Sequence, residues 1–293
     1  DQTDAYIGGG KTAEHAAGMA VAQSLTLGDA EGAGTLNLSG GTLSVTNSII
    51  NGTGASTLSV TGEPSLSVGG ALAVDTLDIG YNVASGNLSF TSGTRPSEIQ
   101  IGTSQSDRGR IIVGYTEGGG LSSDGVLNLA EVPKLTAYLN QFAVGWRDTT
   151  SGTGTGKGTV TLAEENSIDA TSIVVAQNEY WDTDPGSTLT LGADNTFKVD
   201  TFTVAGYRAI GAVNLPSGGE LNLEGPSSAA AANLFIGNNN IGTAHDGVGT
   251  MDLSAGTFNA TLNQLRIGFH ASGGGSGTGT LSFADGEVTA NSV

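Results

Sequence analysis

The chain has 293 residues, 48 of them glycine and none cysteine, with 28 acidic and 10 basic side chains and a net charge of −18. Phosphate recognition needs a basic surface, so this balance argues against nucleic acid or an anionic membrane as partner, and the lack of cysteine excludes disulfides and thiolate metal sites. Apolar residues make up 37% of the chain; their regular placement argues against disorder, and no run approaches the ~18 residues of a membrane span, so no membrane insertion is expected.

Three short motifs alternate along the chain, each reading apolar, any residue, apolar, which is the strand period of two. The first, usually closed by glycine, appears as Ala5 to Gly8, Leu25-Thr26-Leu27-Gly28, Ile49 to Gly52, Leu77-Asp78-Ile79-Gly80, Ile111-Ile112-Val113-Gly114 and Phe142-Ala143-Val144-Gly145. It continues as Ile173 to Ala176, Phe202 to Ala205, Leu234-Phe235-Ile236-Gly237 and Leu265-Arg266-Ile267-Gly268. The second begins at Leu36-Asn37-Leu38 and recurs at Leu58, Leu88, Leu127, Val160, Leu189, Leu221, Met251 and Leu281. Leu36 to Leu281 is eight steps, a mean period of about 31 residues. The third closes each unit at Met19, Leu43, Leu72, Ile99, Leu135, Ile168, Phe197, Phe258 and Val288, with a degenerate copy near Ala229 to Ala232.

Segments this short have neither the spacing of an amphipathic helix nor the length of a hairpin meander. Three strands per unit predict an all-β fold, a right-handed parallel β-helix forming a three-sided solenoid of about ten coils of about 30 residues, with residues 1–293 as a single domain. Each coil then stacks its inward Leu, Ile, Val and Phe on those of the coil below, and function falls to the outward rows.

One outward row reads Thr35, Thr57, Asn87, Val126, Thr159, Thr188, Glu220, Thr250 and Thr280. The adjacent one holds Asn37, Ser59, Ser89, Asn128, Thr161, Thr190, Asn222, Asp252 and Ser282. Threonine suits an exposed sheet for structural reasons alone; the functional reading is a hydroxyl array that meets glycan or ice, carried by Thr159-Val160-Thr161 and Thr188-Leu189-Thr190, which look like steps of ice-binding solenoids. A further row places Ile50, Ile112, Val174 and Phe235 on a solvent-facing sheet, to be covered either by loops of the same chain (Gly114 to Val126 or Tyr180 to Pro185) or by a partner. Tyr81, Tyr115, Trp146, Tyr207 and Phe269 follow the first motif as a stiffening turn stack or a sugar platform.

The reactive constellations that the sequence suggests are each incomplete. Gly152 to Gly158 has Ser151 and Gly158 where a phosphate loop needs glycine and a hydroxyl. Asp182-Thr183-Asp184-Pro185-Gly186 lacks the distal glutamate of a calcium loop. His15, His245 and His270 have no metal-ligand spacing. Asp75 and Asp78 are the nearest carboxylates to a polysaccharide-lyase cluster, but the motif alignment sets Ile50 and Ile112 on either side of Asp78. No catalytic residue, cofactor or metal is expected.

Gly34-Thr35-Leu36-Asn37-Leu38-Ser39-Gly40-Gly41-Thr42-Leu43-Ser44-Val45, echoed at Gly249 to Phe258, resembles the repeats of bacterial autotransporter passengers and related exported surface solenoids. The resemblance spans nearly the whole chain and implies an extracellular, cell-surface structural or adhesive stalk without carrying over any functional residue. The chain starts at Asp1 and stops where a further coil would begin, so the expectation is an excerpt of a longer protein or a filament-forming subunit that self-associates end to end or laterally. The alternative is a module binding glycan or ice; a β-helix polysaccharide-degrading enzyme ranks third.

Overall fold

The computed structural model describes residues 4–117, 122–148, 154–178, 186–226, 230–239, 246–270 and 275–293. Their regular structure is strand, and the named strands pair in parallel. Because each strand pairs with one a coil earlier and one a coil later, the chain is a parallel β-helix with three faces.

The first face stacks Ala5–Ile7, Leu25–Leu27, Ile49–Asn51, Leu72–Val74 and Ile99–Ile101, then the first halves of Lys134–Asp148, Glu165–Asn178 and Asp194–Tyr207. Glu220–Glu224, the middle of Gly247–Ile267 and Val288–Ser292 complete it. The second face stacks Lys11–His15, Gly34–Leu38, Ser56–Val60, Thr76–Tyr81 and Gly109–Glu117, the second halves of the same three long strands, Ala232–Asn238, and the end of Gly247–Ile267.

The third face starts with Met19–Ala22, Thr42–Val45 and Ser65–Val68. After an irregular step, where Gly62 bridges Gly86, it continues through Ser85–Ser89, Ser123–Asn128, Gly156–Thr161, Ser187–Thr190, Ile210–Asn214, the start of Gly247–Ile267 and Gly277–Asp285. Among the described residues this makes ten three-strand coils and the start of an eleventh.

The architecture agrees with the sequence reading, but the alignment of motifs to faces does not. Leu66-Ser67-Val68 is a strand of the third face that the motif series passes over. From that coil onward every motif therefore lies one face further along: Leu27 is on the first face, but Leu77 pairs with Leu58 on the second. Ala212-Val213-Asn214 is a second omitted strand, so Leu221-Asn222-Leu223 belongs to the first face, paired with Asn195-Thr196-Phe197. Ala229 lies outside the described residues, and Ala232 opens a second-face strand.

Coil length also changes. Leu36, Leu58 and Leu77 follow at 22 and 19 residues, whereas Leu77, Ile111, Phe142, Ile173, Phe202, Leu234 and Leu265 are 29 to 34 apart. These inward side chains, with their counterparts on the other faces, form one continuous apolar column.

The corner between second and third faces explains the glycine that closes the first motif. Gly80, Gly114, Gly145, Ala176, Ala205, Gly237 and Gly268 all take φ between +60° and +71°, a left-handed turn that glycine adopts without a Cβ penalty. At Gly114 a Cβ would lie 1.6 Å from the Lys157 carbonyl oxygen, so two coils approach backbone to backbone.

Candidate functional site

The threonine row divides between two faces. Thr35 and Thr57 lie on the second face in register with Thr12, Thr76 and then Arg110. Thr159, Thr188, Thr250 and Thr280 share a row of the third face, entered by Asn87 and Val126 and interrupted by Ala212. Thr161 and Thr190 stand in the parallel row with Ser89, Asn128, Asn214, Asp252 and Ser282. Glu220 is on the first face beside Asp194. Over seven coils these two third-face rows carry a single charge, that of Asp252, whose carboxyl is held below its usual range by the Ser254 hydroxyl and amide.

The apolar row is also redistributed. Ile50 lies on the first face after Tyr6 and Thr26 and is 42% exposed. Ile112, Val174 and Phe235 line the second face with Asp78, Ala143, Thr203 and Arg266. Although they point outward, Ile112 and Val174 are buried at 2% and 6% exposure. Tyr115 packs with Ile112 and Ala143 into a second small cluster, against which Tyr81 and Trp146 also rest. The chain turns its corner at the left-handed residue and folds these rings back over the sheet, so an outer aromatic layer covers Ile112 and Ala143. Tyr180 to Pro185, the other proposed cover, lies outside the described residues.

The rings are engaged with one another. Tyr81 and Tyr115 are stacked at 5.0 Å, and Trp146 meets Tyr115 edge-on at 6.0 Å. The Tyr81 hydroxyl donates to Glu117 at 2.7 Å and the Tyr115 hydroxyl to Asp148 at 3.0 Å, so each phenol is fastened to a carboxylate one coil further on. Burial, followed by the Glu117 carboxylate, pushes the Tyr81 phenol up to about 12; burial and Asp148 push Tyr115 in the same direction. Tyr207 does not extend the stack, since Gln177 and Gly206 follow Trp146 in register. Phe269 instead holds Arg266 at 4.5 Å, with Phe235 at 5.2 Å from the same guanidinium. The ring faces that a sugar would stack on are largely spent on these contacts, which favours the stiffening role.

Asp78 is flanked by Ser59 and Ile112, not by Ile50, because of the face shift. Arg110 donates to it at 2.7 Å and also lies 5.3 Å from the Tyr81 ring centroid. Burial raises the Asp78 carboxyl, and the Arg110 charge opposes the rise. Asp75 accepts from the Ser56 amide at 2.9 Å and from Asn51, holding the corner between first and second faces. Lys157 pairs with Asp124 at 3.4 Å on the third face; Ser151, Gly152 and Thr153 lie outside the described residues, as do Asp182, Asp184 and His245. His15 is on a second-face strand, and His270 bridges Asn239. Among the described residues no three His, Asp or Glu side chains are grouped to hold a metal ion.

Two polar devices escaped the sequence reading. Arg108, in the Gly102 to Arg108 connection, donates to the carbonyls of Leu139 and Asp169, each at 2.9 Å, and to the Asp169 carboxylate. It thereby ties three successive coils. Asn166 and Asn195 are buried and stacked, the Asn166 amide donating to Asn195 at 2.9 Å and Asn195 donating in turn to the Gly192 and Glu220 carbonyls. Neither has a periodic signature; each is a single residue facing a neighbour about 30 or 60 positions away.

Comparison with protein families, with curated proteins and with solved structures found no match to this chain.

Proposed function

We propose that the protein is a non-enzymatic structural and adhesive rod of the bacterial cell exterior, resembling autotransporter passengers in role as well as in repeat. The observation that carries the reading is the pair of outward third-face rows, short polar and small apolar side chains with only Asp252 charged among them and the Asp124–Lys157 ion pair in the row beside them, on a molecule of net charge −18. A flat neutral surface backed by a continuous apolar column suits extended contact between surfaces better than turnover of a small substrate. Ten coils at the ~4.8 Å strand spacing give a rod of about 50 Å.

Electron microscopy over a range of concentrations, with surface labelling of producing cells, tests the proposal. Labelled cells and rods of that length, alone or as multiples, are expected; an interior location, or compact particles, would overturn it. A second reading is favoured by the common row of Thr159, Thr188, Thr250 and Thr280, which would meet ice or glycan. Thermal hysteresis that is lost in Thr188→Asp would select ice.

A further inference from the structure

The corner between first and second faces has an uneven profile. In the third coil it is a four-residue turn, Gly52 to Ala55, between strands Ile49–Asn51 and Ser56–Val60. In the fourth it shrinks to Asp75 alone, between Leu72–Val74 and Thr76–Tyr81. In the fifth it swells to the Gly102 to Arg108 strap, and in the sixth Lys134–Asp148 passes the corner without a break. A low step beside tall ones leaves an open notch of about 480 Å³, with Asp75 and Thr76 at its floor, walled by Thr53 and Gly54 on one side and Asp107 and Arg108 on the other, and reaching Gln141. Its size lies within the range of ligand clefts.

Both walls are fixed before any ligand arrives. A Cβ on Gly54 would fall 2.4 Å from the Asp29 carbonyl oxygen, so that turn is packed directly on the preceding coil. The strap is pinned by Arg108 to Leu139 and Asp169 and by the Thr103 amide to the Asp107 carbonyl at 3.1 Å. Prefixed walls lower the ordering cost of binding.

The notch also holds unused hydrogen-bonding capacity of both kinds. The Asn51 side-chain oxygen is buried and has no partner. Thr53, Thr76 and Gln141 line the notch without side-chain hydrogen bonds among the described residues, and Asp107 carries a carboxylate there. Each guanidinium is already paired with a carboxylate, Arg108 with Asp169 and Arg110 with Asp78, the Arg110 Nε–H remaining as one further unpartnered donor. What remains besides it is a set of neutral donors and acceptors beside two carboxylates, on an acidic molecule that repels anions. Neutral hydroxyl groups, which both donate and accept, fit this set; a uronate or phosphate does not.

We propose that this notch binds a neutral saccharide unit. The proposal rests on the adhesive reading and gives it a ligand class. Its test is an NMR titration of the full chain with cellobiose, maltose and N,N′-diacetylchitobiose as neutral probes and digalacturonate as the anionic one. Saturable shifts of the Gly54, Thr76 and Gln141 amides are expected with at least one neutral probe, and weaker ones with digalacturonate. Thr53→Trp, which fills the notch from an exposed turn, is expected to weaken binding at least tenfold without lowering the melting temperature; Thr159→Asp, on the third face, is expected to leave it unchanged. No shift with any neutral probe, tighter binding of digalacturonate, or shifts that survive Thr53→Trp would overturn the notch. Microscopy of the same Thr53→Trp protein separates this from the rod reading, because the rod stands or falls independently of saccharide binding.

Discussion

The coils before Asp75 and the coils from Gly109 to Tyr207 are built on the same inner column but differ in what they add to it. The early coils advance by 19 to 24 residues and have separate three- to five-residue strands, and outward apolar residues such as Tyr6 and Ile50 remain exposed. The central coils run strands of 14 and 15 residues through a corner. Around them lie the aromatic layer over Ile112 and Ala143, the Arg108 tie and the Asn166–Asn195 stack. In a solenoid each coil is stabilised by its own contacts and those of its neighbours, so extra residues per coil translate into a sturdier middle. The lesson is that a β-helix gains local stability through what it places outside the core column.

The largest expected break in this contrast comes from the core. Phe202 is fully buried in the centre, and Phe202→Ala is expected to cost about 3–5 kcal/mol by the cavity it leaves. Leu36→Ala in the early coils should fall near 2 kcal/mol, the lower end of the range for such a change. Denaturant unfolding compares the two; equal losses would erase the contrast. Arg108→Ala comes next, at about 2–4 kcal/mol, because it leaves the nearly buried Asp169 carboxylate without its cation. Hydrogen exchange should then show faster opening around Leu139 and Asp169 and unchanged protection at Leu36.

The left-handed corner sharpens the comparison. Gly114→Ala forces a methyl group against the Lys157 carbonyl at φ +69° and should cost more than about 1 kcal/mol. Ala176→Gly, at φ +63°, should raise the melting temperature, by up to about 1 kcal/mol in stability, since it relieves a left-handed alanine. The smallest effect is alkaline. The folded Tyr81 phenol lies at about 12 against an ordinary 10.0. A raised value means the fold favours the protonated phenol, so this contribution is complete below pH 10.0 and is lost as pH rises toward about 12. Tyr81→Phe should flatten the fall in stability over that interval, and spectrophotometric titration of phenolate formation should show a late-ionising tyrosine disappear.

Fold class was legible because apolar-any-apolar triplets recur whatever the coil, and inward residues must be apolar on all three faces. The assignment of triplets to faces was not legible for the same reason: the three faces demand the same pattern, so skipping Leu66-Ser67-Val68 left a series that still looked regular. That single omission placed Ile50 beside Asp78 and joined Thr57 to Asn87. The burial of Ile112 was hidden because its cover, Tyr115, approaches across a corner. The notch was invisible because it arises from the difference between neighbouring connections, Asp75 against Gly102 to Arg108, which has no motif.

Register is the claim on which the rest depends, and a cysteine-free chain allows a direct measurement of it. Thr57 and Thr76 are paired on adjacent coils of the second face, at a strand spacing within the Cα separation that a disulfide spans. The Thr57→Cys, Thr76→Cys protein should form an intramolecular disulfide under mild oxidation, and the Thr57→Cys, Asn87→Cys protein should not. A disulfide in the second protein and none in the first would restore the simple motif alignment and contradict the arrangement of faces described above.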